Sequence, residues 1–184
     1  MQLEPQPDYD LVRQIQAGDD DAFGELMRRY KQPILNFVYR ILGRADEAED
    51  VAQEVFVRVY QHIGDYEPRR KFSTWLFGIA RNAAVDRLRW RERHPTESLE
   101  SVAHSAGTAR GVTDEVSARE TGEHIAAAVR VLPEDQRTAI VLSEYHGMSY
   151  AEIAQVMRCS EKSVESRLYR AKHELRKRLA FLLD

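Results

Sequence analysis

The sequence predicts an all-α fold in which two small helical domains are joined by a flexible linker. Over most of the chain, apolar residues recur every three or four positions, which is the spacing of amphipathic helices. The alternation of apolar and polar residues that marks strands is nearly absent. One long segment without periodicity, "HPTESLESVAHSAGTARGVTDEVSARE", divides the pattern. Connections inside compact domains are usually about 4–6 residues long, so we interpret this segment as an interdomain linker, with a disordered insertion in one domain as the alternative. We place the domains at 1–93 and 123–184 and the linker at 94–122.

The first domain is predicted to contain four helices. Their apolar positions fall within 8–16, 22–42, 47–63 and a stretch from about 73 to about 93. Gly18 follows the first helix and is suited to end it. Pro33 lacks an N–H, so we expect it to kink or split the second helix. Ser73 is the expected N-cap of the fourth helix, because a serine hydroxyl can accept a hydrogen bond from the first turn.

The second domain contains several signals for helix starts. Helical spacing resumes at Ile125, and Pro133 suits the first turn of the next helix, where no N–H is needed. Ser149 and Glu152 form the S-x-x-E pattern of a capping box in front of an apolar run. Ser160 is the expected N-cap of the last helix.

Composition limits the location and the chemistry of the chain. No apolar run approaches the roughly 20 residues needed to cross a bilayer, so we expect no membrane insertion. The N-terminus is acidic and has no apolar core, so it does not predict a signal peptide. The single cysteine, Cys159, excludes an internal disulfide and a multi-cysteine metal site. We therefore predict a cytoplasmic protein without a cofactor or a bound metal.

Charge is distributed unevenly, although the net charge is only −3. Basic residues cluster within 69–93 and within 158–178. Acidic residues cluster near the start of the chain and again at Asp46, Glu47, Glu49, Asp50 and Glu54. Such blocks can supply two phosphate-facing surfaces and one acidic surface for a different partner. Ordinary solvated helix faces are the alternative for each block taken alone.

The segment "SYAEIAQVMRCSEKSVESRLYRAK" predicts a helix-turn-helix. Ala154 is a small residue where the two helices would touch, and Val164 would close the wedge between them. Arg158 stands where the turn favours glycine, and a positive φ there costs on the order of 1 kcal/mol. We interpret Cys159 as a small packing residue of the turn. An ordinary helical hairpin is the alternative.

The second helix of this motif, predicted from about 161 to 179, would expose side chains that can reach DNA. In a helix-turn-helix the N-terminal part of the second helix contacts base edges, whereas Arg and Lys also bind phosphates. The residues concerned are Lys162, Ser163, Glu165, Ser166, Arg167, Tyr169 and Arg170.

A second pattern lies in the first domain, within "AEDVAQEVFVRVYQHIGDYEPRRKFSTWLFGIARNAAVDRLRWRERH". An acidic, Gln-bearing helix ends in F-x-x-x-[WY], and W-L-x-x-I-A-x-N-x-x-x-D-x-[LR]-R follows. This pattern resembles region 2 of bacterial sigma factors of the extracytoplasmic-function (ECF) group, group 4 of the sigma-70 family. The segment "AGDDDAFGELMRRY" resembles their region 2.1, and "LPEDQRTAIVLSEYHGMSYAEIAQVM" with the helix after it looks like their region 4. The resemblance covers nearly the whole chain except the linker.

The resemblance implies a transcription initiation factor rather than an enzyme. Such a factor binds RNA polymerase core enzyme, directs it to specific promoters and promotes melting of the −10 element. The residues that would bind core polymerase are Asp50, Gln53, Glu54 and Val57. Those that would bind the −10 element are Arg69, Arg70, Lys71, Trp75, Arg81, Asn82, Asp86 and Arg89. The seven helix-turn-helix residues named above would bind the −35 element in promoter DNA, and an anti-sigma factor is an expected further partner.

The chemistry of these residues agrees with those roles. The short Asn82 amide can pair with the edge of an extruded base. Trp75 could stack on a base, although a place in the core is favoured. Glu165 and Lys162 stand where the group often has a cation and a glycine. Glu can accept a hydrogen bond from cytosine N4 but repels phosphate, so an unusual −35 preference is expected.

Three rival functions explain less of the sequence. A conventional helix-turn-helix regulator accounts for residues 134–178 but not for the acidic helix followed by "FSTWLFGIARNAAVDRLR". A carboxylate-bridged metal enzyme would need E-x-x-H pairs, and a nucleotide enzyme would need a G-x-x-x-x-G-K-[ST] loop; the sequence has neither. A pure scaffold leaves the two basic helices without a role.

Overall fold

The computed structural model describes residues 7–67, 69–95 and 113–182, with side chains from residue 120 onward in the last range. Within these ranges the regular structure is helical, as predicted. The helices are α1 (Asp8–Gln16), α2 (Asp20–Leu42), α3 (Ala45–His62), α4 (Phe72–Arg93), α5 (Thr113–Arg130), α6 (Glu134–His146), α7 (Tyr150–Met157) and α8 (Glu161–Arg178). Short 3₁₀ turns follow α3 at Ile63–Asp65 and α8 at Ala180–Leu182. In the described part of the chain, no helix has the length and apolar character needed to cross a bilayer.

The first half, α1 to α4, packs around the long helix α2. Helix α2 continues through Pro33 as one helix, so the expected split does not occur. Ile34, Phe37 and Ile41, on the turns that follow, are completely buried. Burial of these side chains compensates for the backbone hydrogen bond that a proline cannot make.

Helix α4 begins one residue before the predicted cap. Its N-cap is Lys71, which makes no side-chain capping bond, so the prediction of Ser73 as the cap was wrong. Phe72, the first helical residue, is buried and packs edge-on against Tyr30 and Tyr66. This aromatic contact fixes the first turn, which a serine cap would otherwise have had to stabilise.

The second half, α5 to α8, follows its local capping signals closely. The reciprocal hydrogen bonds of a capping box join Ser149 and Glu152 at the start of α7. The Ser160 side chain accepts a hydrogen bond from the Ser163 N–H at the start of α8. Arg158 has φ 52° and ψ 50°, the left-handed conformation predicted for the turn. Pro133 lies at the N-cap of α6, one residue before the helix starts.

The core of the helix-turn-helix is well buried. Ala154 and Val164, the predicted wedge residues, are 7% and 0% exposed. Cys159 is half-buried and packs against the core, which agrees with a packing role in the turn.

Helix α5 begins inside the range predicted as linker. It covers Thr113–Arg130, so residues 113–122 are helical. Residues 96–112 lie outside the described part of the chain.

The two halves pack against each other along a seam, by which we mean the contacts of α2 and α4 with α5, α6 and α7. The His146 ring lies against both Phe37 and Phe77, with centroid distances of 5.8 and 4.6 Å. The Arg137 guanidinium donates hydrogen bonds to the Ile41 carbonyl at 2.6 Å and to the Leu132 carbonyl at 3.0 Å. A cation at the C-terminus of a helix such as α2 is electrostatically favourable.

Candidate nucleic-acid and polymerase interfaces

Helix α8 exposes one continuous polar stripe, which we call the α8 stripe. At 100° per residue, its members lie within about 60° of Ser166 around the helix axis. They are Lys162, Ser163, Ser166, Tyr169, Arg170, His173 and Lys177. Val164, Leu168 and Ala171 bury the opposite side of the helix. Because the buried side fixes the rotation of α8, the stripe faces away from the protein.

Tyr169 is the most exposed large apolar side chain of the stripe, at 71%. Its ring stacks on His173 with an interplanar angle of 8° and a centroid distance of 6.4 Å. An aromatic face held this way among hydroxyl and basic groups can contact a thymine methyl or a sugar.

Arg167 and Glu165 lie to the two sides of the stripe. The Arg167 guanidinium donates a hydrogen bond to Asp135 at 2.9 Å, and it also bonds the Ser163 hydroxyl. These contacts raise the pKa of Arg167, chiefly through the Asp135 carboxylate. Arg167 therefore ties α8 to α6, and its charge is partly neutralised before any DNA arrives.

Helix α4 exposes a second stripe, which is narrower. Around the axis, its members lie within about 40° of Asn82. They are Trp75, Asn82, Asp86, Arg89 and Arg93, and we call them the α4 stripe. The rest of the circumference packs against α2 and α3 on one side and α7 on another. A helix enclosed in this way holds its exposed side chains in fixed positions.

Trp75 and Asn82 are both half-buried. The Trp75 ring contacts Tyr66 at 5.2 Å and Phe72 at 5.7 Å, so part of the indole belongs to the aromatic core, as favoured, while another part reaches the surface. Trp75 and Asn82 lie two turns apart on the same side of α4, where an indole can stack on a base and an amide can form hydrogen bonds to a base edge.

The other basic residues predicted to bind the −10 element surround this stripe. Two of them form ion pairs with carboxylates of the second half. Lys71 forms an ion pair with Glu152 at 2.7 Å, and Arg81 forms one with Glu134 at 3.2 Å. Arg69, by contrast, pairs locally with Glu67 at 3.1 Å. Arg69 and Arg70 are both exposed.

Helix α3 exposes the acidic and amide face expected for polymerase. Asp50, Gln53, Glu54 and Val57 are exposed and share one side of the helix, and Val57 is 55% exposed. Glu54 pairs with Arg58 one turn later at 2.5 Å. Next to this face lies an apolar groove of about 780 Å³ between α2 and α3, and Gln53 and Val57 belong to both.

The structure adds functional candidates that the sequence reasoning missed. His173 and Lys177 continue the α8 stripe by two turns, and their helical spacing from Arg170 would have identified them. Trp90 is 36% exposed near the end of α4, stacked on His94 at 4.7 Å, with the Arg87 guanidinium 5.9 Å from its ring centre. The apolar groove beside α3 could not be read from one helix because α2 supplies half of its lining.

In the part of the chain that the structure describes, no group of three or more His, Cys, Asp or Glu side chains is arranged to hold a metal ion.

Comparison with known proteins identifies both halves. The model of Sigma-70 region 2 matches residues 26–94, and that of Sigma-70, region 4, matches residues 123–175. The RNA polymerase sigma-H factor of Pseudomonas aeruginosa is 36% identical over 195 residues, which cover 98% of this chain and 98% of that protein. The ECF RNA polymerase sigma factor SigW of Bacillus subtilis is 37% identical over 178 residues, covering 91% and 94%.

Solved structures show the same arrangement of helices. CnrH in complex with the cytosolic domain of CnrY has a TM-score of 0.73 and 28% sequence identity, with 94% of this chain and 97% of that chain covered. The sigma factor RpoE from Bartonella quintana, in complex with the anti-sigma factor NepR, has a TM-score of 0.68 at 24% identity and shares the fold.

The chain belongs to the ECF group of RNA polymerase sigma factors. It is therefore a transcription initiation factor that directs RNA polymerase to specific promoters. The resemblance drawn from the sequence is confirmed at this level.

Proposed function

We propose that the chain docks on core polymerase through α3, opens the −10 element with the α4 stripe and reads the −35 element with the α8 stripe. The observation that carries this proposal is the pair of polar stripes, one on each half, each held outward by a buried apolar side. Each stripe combines groups that bind phosphate with groups that bind bases.

Docking on polymerase is assigned to the face formed by Asp50, Gln53, Glu54 and Val57. Two carboxylates there favour a basic partner surface and speed its encounter. Val57 and the apolar groove beside it add surface that would be removed from water in the complex. A mixed acidic and apolar face of this kind fits an amphipathic, basic helix of the polymerase.

Opening of the −10 element is assigned to Asn82 and Trp75. Extruding a base loses stacking and pairing, a cost of a few kcal/mol. Stacking on an aromatic ring recovers about 1–3 kcal/mol per base, and the amide adds hydrogen bonds to the base edge. The phosphates on either side would be bound by Arg89, Arg69 and Arg70. Lys71 and Arg81 would contribute once their ion pairs with the second half are broken. Asp86 lies between Asn82 and Arg89 and would disfavour a phosphate at that one point.

Reading of the −35 element is assigned to the first three turns of α8. Lys162, Ser166 and Arg170 follow one line along the helix, so they would meet successive positions in the major groove. Ser163 and Tyr169 flank that line, and Glu165 lies farther around the helix. Arg167 acts by holding α8 against α6 through Asp135.

The test of the proposed function is direct binding to core polymerase. The double reversal Asp50→Lys/Glu54→Lys should weaken that binding by at least tenfold and leave the helical content unchanged, because exposed charge changes usually cost less than about 0.5 kcal/mol. The matched control is Asp10→Lys/Glu174→Lys. Glu174 also pairs with an arginine one turn later, Arg178, at 2.8 Å. Equal polymerase affinities for the two variants would remove α3 from the interface.

Location, chemistry and regulation follow from the same role. A factor that acts with polymerase on promoter DNA works in the cytoplasm, and docking together with DNA deformation requires no covalent step, so we expect no enzymatic activity. We also expect an anti-sigma factor as a partner, competing with polymerase for the exposed faces. Stable binding of promoter DNA at physiological salt without polymerase would instead favour a conventional regulator.

A further inference from the structure

The segment between α3 and α4 carries three of the basic residues assigned to the −10 element, Arg69, Arg70 and Lys71. Apart from the 3₁₀ turn at Ile63–Asp65, its described residues form no helix or strand. A backbone without regular hydrogen bonds takes its position from the side chains that bind it. The side chains that bind this segment therefore determine where its three cations lie.

Tyr66 connects this segment to α4. Its ring is 7% exposed and lies 5.8 Å from the Phe72 ring and 5.2 Å from the Trp75 ring. Its hydroxyl donates a hydrogen bond to the Arg70 carbonyl at 2.5 Å. Burial, together with the nearby Asp8 carboxylate, raises the pKa of Tyr66, so the phenol remains protonated and able to donate. One side chain thus contacts both the indole of the α4 stripe and the backbone that carries the cations.

Helix α1 holds the backbone of the same tyrosine. Gln16, the last residue of α1, donates hydrogen bonds from its side-chain amide to the Ile63 carbonyl at 2.8 Å and to the Tyr66 carbonyl at 3.2 Å. Both carbonyls lie just beyond α3, where a chain that leaves a helix needs donors for its carbonyl groups. The amide therefore fixes the point at which the segment leaves the 3₁₀ turn.

Gln16 is itself firmly anchored. One side of α1 is buried. At the other end of this helix, Asp8 accepts a hydrogen bond from the Tyr30 hydroxyl of α2. Gln16 is an exposed residue, so its side chain can be changed without disturbing the core.

We propose that Gln16 and Tyr66 are positioning residues for the opening of the −10 element. Gln16 holds Tyr66, and Tyr66 holds the Trp75 indole and the backbone at Arg70 where an extruded base and its phosphates are to be bound. The inference rests on the proposed function, since it takes Trp75 and Arg70 as DNA contacts. Groups that are ordered before the DNA arrives lose less conformational freedom when they bind it. Neither positioning residue needs to touch the DNA.

Two conservative substitutions remove these hydrogen bonds and keep the shapes of the side chains. Gln16→Met keeps nearly the length of the side chain but removes the donor. Tyr66→Phe keeps the ring and its packing but removes the hydroxyl. The control, Tyr9→Phe/Gln14→Met, makes the same chemical changes at two other positions of α1, neither of which is assigned to DNA or to polymerase.

The test uses holoenzyme reconstituted from core polymerase and the full chain, on a duplex promoter selected by transcription from a genomic library. Permanganate footprinting measures the opening of the −10 element. For Gln16→Met/Tyr66→Phe we expect about 3- to 30-fold less opening than for the control, since two sets of hydrogen bonds are lost. The affinity for core polymerase should be unchanged, and a premelted −10 bubble should restore part of the activity.

A second background separates positioning from a general loss of function. Trp75→Ala/Arg70→Ala removes the groups through which Gln16 and Tyr66 are proposed to act. Adding Gln16→Met/Tyr66→Phe to this background should therefore reduce opening by less than about twofold further. A role confined to packing would give the same fold reduction in both backgrounds.

Opening equal to that of the control would overturn the proposal, as would the same fold reduction in both backgrounds. Should the double variant unfold at a lower urea concentration than the control, the same criteria apply to Gln16→Met alone, with an expected reduction of about 2- to 10-fold. Wild-type opening by Trp75→Ala/Arg70→Ala would instead refute the −10 assignment of these two residues, on which the positioning role depends.

Discussion

Helices α4 and α8 both expose a polar stripe that we propose to face DNA, but they are held very differently. Helix α4 packs against α2, α3 and α7, and over residues 72–89 it exposes a narrow line that includes a half-buried amide and a half-buried indole. Helix α8 exposes about half of its surface, with side chains that extend fully into solvent. A site that must stabilise an extruded base needs fixed groups, whereas a helix that enters the major groove needs a broad protruding face.

The two surfaces also differ in availability. Cations beside the α4 stripe pair with carboxylates of the other half, while the α8 stripe stays clear of the seam. The predictions below test this difference, beginning with the largest expected effect.

Removal of a core side chain from α8 should reveal whether the halves unfold separately. Leu168 is 2% exposed, so Leu168→Ala should cost about 2–5 kcal/mol. Both tryptophans, Trp75 and Trp90, lie in the first half. We expect the circular-dichroism midpoint to fall in urea while the tryptophan-fluorescence midpoint falls less. Coincident transitions, shifted by the same amount, would show that the seam makes the halves one cooperative unit.

Truncation of Asn82 should impair DNA opening without affecting polymerase binding. Loss of a bidentate contact to a base edge costs about 1–3 kcal/mol, or roughly 5- to 150-fold in open-complex formation. A premelted −10 bubble should restore part of the activity of Asn82→Ala, and base preference at one −10 position should relax. Permanganate footprinting on duplex and bubble promoters measures both effects. Melting at the wild-type rate with unchanged preference would place the base site elsewhere in the first half.

Two neighbouring arginines of α8 should behave differently. Arg170→Ala removes a stripe residue and should reduce −35-dependent transcription by an amount corresponding to about 1–3 kcal/mol if the contact is to a base. Arg167→Ala removes the tie to Asp135, so it should lower the stability of the second half as well as DNA binding. Denaturation measures the stability of each variant, and transcription assays measure its −35-dependent activity. The assignment fails if both variants lose the same stability and the same activity.

Local chemistry made the second half easier to predict than the first. Neighbouring residues, within one or two turns, determine the caps at Ser149 and Ser160 and the left-handed turn at Arg158. These features can therefore be predicted from the sequence. The start of α4 at Phe72 and the continuity of α2 through Pro33 depend on tertiary packing, which overrides local preference. The site followed the same division. The family resemblance and the helix-turn-helix pattern predicted most of the stripe residues but missed Arg93, His173 and Lys177. The pairings of Arg167 with Asp135, Arg81 with Glu134 and Lys71 with Glu152 join residues 32 to 81 positions apart, so the sequence could not show them.

The stability of the seam should also decrease in acid, and this is the smallest of the predicted effects. Burial between Phe37 and Phe77, together with the nearby Arg40, lowers the pKa of His146 from 6.5 to about 4. Other ionisable groups facing this part of the seam are Tyr30 and Tyr145, and the pair Lys71–Glu152, in which Glu152 remains ionised.

The direction of the pH effect follows from linkage. In the closed state, by which we mean the two halves packed along the seam, the pKa of His146 is lowered, so His146 binds protons more readily when the halves separate. The closed state is thus fully favoured above pH 6.5 and loses stability as the pH falls toward 4. Between pH 7.5 and 5.5 we expect the closed-to-open ratio to fall about 3- to 10-fold, since water screens part of the ring. Energy transfer between dyes at Asp65→Cys and Ala180→Cys, in a Cys159→Ser background, should fall over this range and should stay constant when His146→Phe is added. The same pH dependence in both proteins would exclude His146 as the cause.

Reconstitution with core polymerase on a promoter library tests the central claim most directly. Sequencing of the transcribed templates should return two elements in the same promoters, spaced to fit the −35 and −10 positions. Asn82→Ala should relax the downstream element alone, and Arg170→Ala should relax the upstream element alone. A library in which either variant alters both elements equally, or in which transcription depends on only one element, would contradict a division of promoter reading between α4 and α8.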